Sequence, residues 1–136
     1  MITGINHLTL AVRNIEESFT FYHDILGFTP IQKSPISAYL LAGEMWMALT
    51  LDTHARREPL PEYTHIAFTV APADFDALKA RLMQAGVQEW QTNQMEGASY
   101  YFVDPNGHKL EIHASDLATR IATAKHTWGD AVHCYV

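Results

Sequence analysis

Hydrophobic and polar residues alternate over residues 5–12 and then change to helical spacing. The alternation predicts a half-buried strand, with His7 and Thr9 on one face and aliphatic residues on the other. Asn14 then has the character of a helix N-cap, with a glutamate three residues later as its capping-box partner. Gly27 is the expected end of that helix.

The same pattern starts again in the second half of the chain. Residues 63–70 alternate, with His65 at the position that His7 occupies 58 residues earlier, and Gly86 ends a second amphipathic helix. Further strands are predicted at residues 38–41, 46–51, 87–90, 99–103 and 109–113. The pattern therefore predicts an α+β protein in which a strand, a helix and further strands occur twice.

The repeat divides the chain into two modules with a linker between them. We expect module 1 at residues 1–53, a proline-containing linker at 54–61 and module 2 at 62–114. A last helix at 116–125 is expected to begin after Ser115 as its N-cap. Each module exposes one sheet face that must be covered, so two modules paired within or between chains would form a cleft between curved sheets.

Composition narrows the class of protein. Of the 136 residues, 48% are hydrophobic and 18% charged, which is enough apolar side chain for a packed core. The net charge of −6 argues against a nucleic-acid or anionic-membrane surface. No apolar run approaches the roughly 18 residues of a membrane span. A single cysteine, Cys134, leaves no internal disulfide framework, and we expect a cytoplasmic protein.

Two histidines and one glutamate are the candidate metal ligands. A lone strand histidine is usually structural, but His7 and His65 stand at equivalent positions of the repeat. Glu111 lies inside the predicted strand KLEIH, where an unpaired buried carboxylate would be costly. The alternative is that Lys109, Glu111 and His113 form a solvated strand face.

Three such ligands favour a catalytic metal over a structural one. Two imidazoles and a carboxylate suit Mn, Fe, Co, Ni or Zn, and three protein ligands leave coordination positions open. The counterpart of Glu111 in the first module is expected among residues 46–50, and that segment has no carboxylate or imidazole. We therefore count three ligands rather than four.

The length of the turn after residue 104 determines which residues of the preceding strand lie opposite Glu111. A three-residue loop ending in a left-handed Gly107 gives a register in which Tyr101 faces Glu111 and Ser99 faces His113. A two-residue loop would shift the register by one and turn Tyr101 to the other face. The glycine at the loop end favours the first register.

Three motifs now carry a family resemblance. They are INHLTLAV, the central YTHIAF, and N-x-x-E-G-x-S-x-Y-F-x-D-P-x-G-H-x-L-E-x-H, which runs from Asn93 to His113. Together they resemble the vicinal-oxygen-chelate superfamily, which includes glyoxalases, bleomycin-resistance proteins and dioxygenases. Within it the chain is most similar to the fosfomycin-resistance thiol transferases of the glutathione-using FosA type.

The resemblance implies a fold of two βαβββ modules and a homodimer with exchanged modules. It implies one divalent metal, with Mn²⁺ first and Zn, Fe, Co or Ni as alternatives, held by His7 of one chain with His65 and Glu111 of the other. In that family the thiolate of glutathione opens the epoxide of fosfomycin, and the metal polarises the leaving oxygen.

The resemblance also implies roles for residues around the metal. Thr9 matches a hydroxyl near the reacting oxygen, and Tyr101 and Arg120 match catalytic contacts to the phosphonate. Further matches to substrate-binding positions are Ser99, Asn93, Gln91, Tyr63, Tyr39 and Trp46. A K⁺ ion is held in that family by a loop to which Asn93, Gly97 and Ser99 correspond.

Two residues depart from the family pattern. Gln91 stands where the family usually has a lysine, which removes a cation from the phosphonate pocket. Met95 stands where it usually has a serine, beside the K⁺ loop. Losing a charge-assisted contact typically costs about 1.5–3 kcal/mol. The metal chemistry is therefore better supported by the residues than fosfomycin as the substrate.

Other functions on the same scaffold remain open at this stage. One is a glyoxalase-like isomerase, although that would normally have a fourth, carboxylate ligand in the first module. Another is an epoxide hydrolase, for which Glu44 is a nearby carboxylate, but it falls in a predicted turn. A third is a drug-binding resistance protein without catalysis, which would not require His7, His65 and Glu111 together.

Overall fold

The computed structural model describes residues 1–94 and 97–136 and contains two four-stranded sheets. The strands are β1 His7–Val12, β2 Thr29–Lys33, β3 Ser37–Ala42, β4 Met45–Leu51, β5 Ile66–Thr69, β6 Glu89–Gln91, β7 Ser99–Val103 and β8 Lys109–His113. The first sheet has the strand order β1-β4-β3-β2, and the second has the order β5-β8-β7-β6. Each unit consists of one strand, a helical segment and three further strands, and its four strands form one sheet. The α+β fold of two βαβββ units is therefore confirmed.

A side-chain cap marks the start of the first helix. α1 spans Ile15–Thr20 and continues as a π-helical turn over Phe21–Ile25. The side chain of Asn14 accepts a hydrogen bond from the backbone of Glu17 at 2.9 Å, as the capping pattern predicts. The other helices are a 3₁₀ turn at Pro72–Asp74, α2 at Phe75–Gln84 and α3 at Leu117–Thr127.

The predicted faces of the first strand are confirmed. Leu10 and Val12 are buried, whereas His7 and Thr9 are exposed on the opposite face. The apolar faces of both sheets pack on the helices around one shared core. That core contains Leu10, Val12, Ile15, Phe21, Tyr22, Phe28, Leu40, Met47, Leu49, Phe75, Leu82, Phe102, Leu110 and Ile112. The helices therefore cover one face of each sheet, and the histidines lie on the other.

The turn between β7 and β8 joins the two units. Asp104 accepts a hydrogen bond from the phenol of Tyr22 in the first unit at 2.7 Å. The amide of the Asn106 side chain donates to Ser18 at 3.1 Å, and its oxygen accepts from the backbone of Arg13 at 2.9 Å. These buried polar groups are all paired, so the turn is a fixed bridge between the units.

The structure differs from the sequence prediction at β2, at β5 and at the N-cap of α3. β2 was not predicted because TPIQK is largely exposed, has a bulge after Pro30 and forms the edge of its sheet. β5 is shorter than residues 63–70, because its pairing with β8 begins at Ile66, so His65 precedes the strand. The N-cap of α3 is Asp116 rather than Ser115, since the Asp116 side chain accepts from the backbone of Thr119 at 2.8 Å.

Over the described ranges, the chain contains no helix that is both long and apolar enough to cross a bilayer.

Candidate metal centre

Glu111 is a buried carboxylate in the middle of β8. Only 7% of the residue is exposed. One carboxylate oxygen, Oε1, lies 3.1 Å from Nε2 of His65, and the other, Oε2, accepts a hydrogen bond from Ser99 at 2.7 Å. The structure therefore brings two of the three predicted ligands together, although they are 46 residues apart in the sequence.

The second nitrogen of each candidate histidine is already engaged. Nδ1 of His65 lies 2.9 Å from the backbone carbonyl of Tyr63, and Nδ1 of His7 lies 2.6 Å from the side-chain oxygen of Asn6. Such partners fix the ring orientation and direct Nε2 toward a metal. Sequence reasoning did not identify Asn6 in this role, and its only sequence signal is its position next to His7.

The spacing of these donors fits a divalent ion. Metal–nitrogen and metal–oxygen bonds of about 2.1 Å at a right angle place two ligand atoms about 3.0 Å apart. The 3.1 Å between His65 and Glu111 matches that separation. A buried carboxylate facing an imidazole nitrogen is also the donor chemistry that manganese, iron or zinc requires. The residues present therefore fit the implied metal.

His7 lies on the other sheet and does not join this pair within one chain. Its ring stacks on Trp46 at 4.2 Å, and the Trp46 ring in turn contacts Tyr39 at 5.1 Å. Among residues 1–94 and 97–136, no three His, Cys, Asp or Glu side chains form a metal-binding group. The indole N–H of Trp46 is buried and finds no hydrogen-bond partner in the part of the chain that is described.

Sheet pairing identifies the counterpart of Glu111 in the first unit. In the second sheet Glu111 pairs with Ala67, and in the first sheet Thr9, the repeat equivalent of Ala67, pairs with Ala48. An alanine has no donor atom in its side chain. The position equivalent to Glu111 in the first unit therefore carries no carboxylate.

The predicted hairpin register is confirmed. Tyr101 faces Glu111, Ser99 faces His113, and Gly107 has a φ of +79°. Only 3% of Tyr101 is exposed. Burial and, next, the charge of Glu111 raise the pKa of the Tyr101 phenol above its usual value, while side-chain hydrogen bonding with Ser99 and Gln91 partly opposes this. The phenol therefore stays protonated and is a hydrogen-bond donor.

Aromatic rings form a wall next to His65. Trp90 lies 5.2 Å from both His65 and Tyr101, measured between ring centroids, and 5.7 Å from Tyr63. The Gln91 amide donates to the hydroxyl of Tyr63 at 2.9 Å. Gln91 and Tyr63, both predicted substrate contacts, are thus joined at the edge of the metal-ligand face.

Arg120 on α3 faces the same centre. It lines a pocket of about 270 Å³. The other lining residues are Ala67, Glu111, His113, Asp116 and Leu117. A turn and part of a helix separate Arg120 from Glu111 in the sequence. In the folded chain the Arg120 side chain lies at the rim of the pocket that contains Glu111.

Part of the predicted K⁺ loop is described. The amide of Asn93 donates to the carbonyl of Gly97 at 3.1 Å, and Gly97 has a φ of +79°. Met95, the departure from the family pattern, lies outside the described residues. Glu44, the carboxylate considered for hydrolysis, is exposed in the turn between β3 and β4.

His113 belongs to the centre but was not among the predicted site residues. Its Nδ1 lies 2.5 Å from the hydroxyl of Ser99 and 3.3 Å from Oε2 of Glu111. The signal was present in the sequence, because residues 111 and 113 of one strand lie on the same face. A solvated strand face was the alternative considered for residues 109, 111 and 113, and it does not hold for His113, of whose side chain only 18% is exposed.

The chain is thus an α+β protein of two four-stranded sheets, with His65 and the buried carboxylate of Glu111 3.1 Å apart beside the second sheet. A sequence profile of the Glyoxalase/Bleomycin resistance protein/Dioxygenase superfamily matches residues 4–112. The chain belongs to this superfamily.

Individual relatives narrow the comparison. The chain is 48% identical to glutathione transferase FosA of Serratia marcescens over 92% of its length and 90% of the relative. It is 37% identical to metallothiol transferase FosB of Shouchella clausii over 96% of its length and 92% of the relative. The crystal structure of fosfomycin resistance protein FosX from Mesorhizobium loti superposes with a TM-score of 0.74 at 31% identity, covering 89% of this chain and 99% of that one.

A second solved structure contains a metal. FosX from Listeria monocytogenes, crystallised as a variant with Mn(II) and 1S,2S-dihydroxypropylphosphonic acid, has a TM-score of 0.75 at 29% identity, over 90% of this chain and 98% of that one.

Proposed function

We propose that the chain is a metal-dependent thiol transferase that inactivates fosfomycin by opening its epoxide, with glutathione as the thiol. The observation that carries the proposal is the pair of Glu111 and His65, which lie 3.1 Å apart with their remaining donor atoms already engaged. The relatives that share most of the chain are fosfomycin-resistance thiol transferases, which supports the same reaction.

The metal site is proposed to be His7, His65 and Glu111, with Mn²⁺ as the first candidate. When bound there, a divalent ion would supply the positive charge that polarises the epoxide oxygen and stabilises the alkoxide. In the reaction, the thiolate sulfur forms a bond to an epoxide carbon, the carbon–oxygen bond breaks, and the alkoxide takes up a proton. Thr9, on the His7 face of β1, is proposed to lie beside that oxygen.

Other side chains are proposed to hold the phosphonate. Arg120 offers a planar guanidinium at the pocket rim, and the protonated phenol of Tyr101 donates a hydrogen bond. Gln91 would contribute an amide in place of a charge. Ser99 lies beside them, but its proton is directed at Glu111, so its predicted phosphonate contact would require that proton to change partner.

The aromatic residues are assigned to the substrate and thiol channel. Trp46 stacks on His7, and Tyr39 contacts Trp46. Tyr63 lies next to His65. The loop with Asn93, Gly97 and Ser99 is the proposed site of K⁺.

A homodimer with exchanged modules is part of the proposal. Each chain presents His7 on one sheet and His65 with Glu111 on the other, and these do not meet within the described part of one chain. Pairing the first unit of one chain with the second unit of a partner would bring all three donors to one ion and cover both exposed sheet faces.

A competition experiment tests the reaction. Manganese-loaded protein is incubated with fosfomycin and equal amounts of glutathione and cysteine in water, with and without K⁺, and the products are identified by phosphorus NMR and mass spectrometry. We expect the glutathione adduct. A cysteine adduct would show that cysteine rather than glutathione is the thiol substrate. A diol would indicate an epoxide hydrolase, and binding of fosfomycin without product would indicate a sequestering protein.

A matched pair of carboxylate variants tests the site. Glu111→Gln is expected to reduce both Mn²⁺ binding and adduct formation, because the amide is a poor metal ligand. Glu44→Gln removes the same charge from an exposed turn and is expected to behave like the parent protein. Equal Mn²⁺ content and equal turnover in both variants would contradict the assignment of Glu111.

A further inference from the structure

Ser99 lies between Glu111 and His113 and contacts both. Its hydroxyl oxygen is 2.7 Å from Oε2 of Glu111 and 2.5 Å from Nδ1 of His113. A serine hydroxyl has one proton to donate, and a carboxylate only accepts. The Ser99 proton is therefore directed to Glu111. The second contact then requires a proton on Nδ1 of His113, which donates to the Ser99 oxygen.

The sheet holds this arrangement in place. Ser99 and His113 are directly opposite each other in the antiparallel pairing of β7 and β8, and Glu111 is two residues along on the same face. Ser99 is 6% exposed, so water does not compete well for its hydroxyl. Nδ1 of His113 also lies 3.3 Å from Oε2 of Glu111, but its one proton is directed to Ser99, so His113 acts on the carboxylate through that hydroxyl.

The two oxygens of Glu111 consequently have different surroundings. Oε2 faces Ser99 and His113, whereas Oε1 faces Nε2 of His65 at 3.1 Å. We propose that His113 is a positioning residue of the metal centre: through Ser99 it holds Oε2 of Glu111 and leaves Oε1 to coordinate the metal together with His65. The inference rests on the proposed metal site. It gives the Ser99 hydroxyl proton a task toward the carboxylate rather than toward the substrate, beside the proposed place of Ser99 in the K⁺ loop.

The affinity for Mn²⁺ is the quantity that reports this role, because outer partners of metal ligands typically change metal affinity by about 10–100-fold. The test compares two amides at position 113. The amide of His113→Asn reaches the place of Nδ1 and keeps a donor to Ser99. The amide of His113→Gln is one bond further out, at the place of Nε2, and does not.

Mn²⁺ titrations monitored by electron paramagnetic resonance, on protein first stripped with a chelator, give the dissociation constants. We expect His113→Asn to bind Mn²⁺ within about threefold of the parent and His113→Gln to bind about tenfold more weakly. Ser99→Ala should lose as much as His113→Gln, and the double variant should be no weaker than Ser99→Ala alone, because both act through one hydroxyl.

Melting temperatures of the metal-free proteins separate positioning from folding. A purely structural role of His113 would lower these temperatures in step with Mn²⁺ affinity. Equal affinity of the Asn and Gln variants, or losses that add in the double variant, would overturn the proposal. Failure of the parent protein to bind Mn²⁺ is a different result, since it would remove the proposed metal site itself.

Discussion

Tyr22 donates a buried hydrogen bond to Asp104 across the boundary between the two units, 82 residues apart in sequence and 2.7 Å apart in space. Tyr22 lies in the π-helical turn after α1, and Asp104 begins the turn that carries β8 back along β7. Asp104 also accepts from the backbone of Asn106 and of His108 at 2.8 and 2.9 Å. The contact thus connects the first unit to the hairpin that presents Glu111.

Removing the phenol should destabilise the fold. Tyr22→Phe leaves a buried carboxylate short of one donor, which we expect to lower the free energy of unfolding by about 1–3 kcal/mol. Urea denaturation followed by circular dichroism measures the change. Tyr135→Phe removes a hydroxyl from a residue that is 91% exposed and should leave the stability unchanged. Equal stability of both variants would show that the bond contributes nothing net.

The same contact predicts a loss of stability in alkali. Burial, followed by the charge of Asp104, raises the pKa of Tyr22 well above its usual value of 10.0. The unfolded chain therefore releases this proton first, so the stabilisation is complete below pH 10 and declines as the pH rises beyond it. Urea midpoints measured from pH 8 to pH 11 should fall more steeply for the parent than for Tyr22→Phe. Parallel curves for the two proteins would contradict this prediction.

Gly107 should tolerate a side chain less well than another left-handed glycine. A Cβ at Gly107 would meet the backbone carbonyl of Glu58 in the linker, whereas one at Gly27 would meet nothing within 4 Å. Both have a positive φ, so Gly27→Ala is expected to cost only the left-handed conformation, about 1–2 kcal/mol. Gly107→Ala should cost more and should shift the hairpin that holds Glu111. Both variants lose stability through the left-handed backbone conformation. The difference between their free energies of unfolding, measured by denaturation, therefore gives the cost of the clash at position 107.

Mixed dimers should recover activity if the site is shared between chains. Neither His7→Ala nor Glu111→Gln should be active alone. A dimer with one chain of each would contain one intact site, built from His7 of one chain and His65 with Glu111 of the other. Random co-expression should therefore restore about a quarter of the parent turnover, because half of the dimers are mixed and each has one of two sites. No recovery, despite mixed dimers seen by native mass spectrometry, would locate all three ligands in one chain.

Restoring a cation at position 91 should strengthen substrate binding. Gln91 points its amide at Tyr63, on the edge of the proposed phosphonate pocket. We expect Gln91→Lys to lower KM for fosfomycin by about tenfold, the lower end for one charge-assisted contact. Gln88→Lys adds the same charge at an exposed site and should leave KM unchanged. A similar effect in both variants would indicate a general charge effect and not a contact.

Local sequence rules accounted for much of the fold and of the candidate site. The alternation around His7 placed it opposite the buried Leu10, the Asn14 cap began α1, and the glycine at 107 set the register of Tyr101 against Glu111. These features depend on strand periodicity, capping and turn geometry, all of which act over a few residues. Similarity to a known family supplied the proposed metal and the proposed reaction.

The tertiary structure decided the rest, because it depends on which distant groups meet. The edge strand β2 takes its place from pairing with β3, since its own sequence has little alternation. His113 became part of the centre only when the pairing of β7 and β8 placed Ser99 between it and Glu111. The bond from Tyr22 to Asp104 and the return of Arg120 to the carboxylate pocket likewise follow from packing. A sequence specifies each strand's face, but the partner across a sheet is selected by the burial and hydrogen bonding of the whole chain.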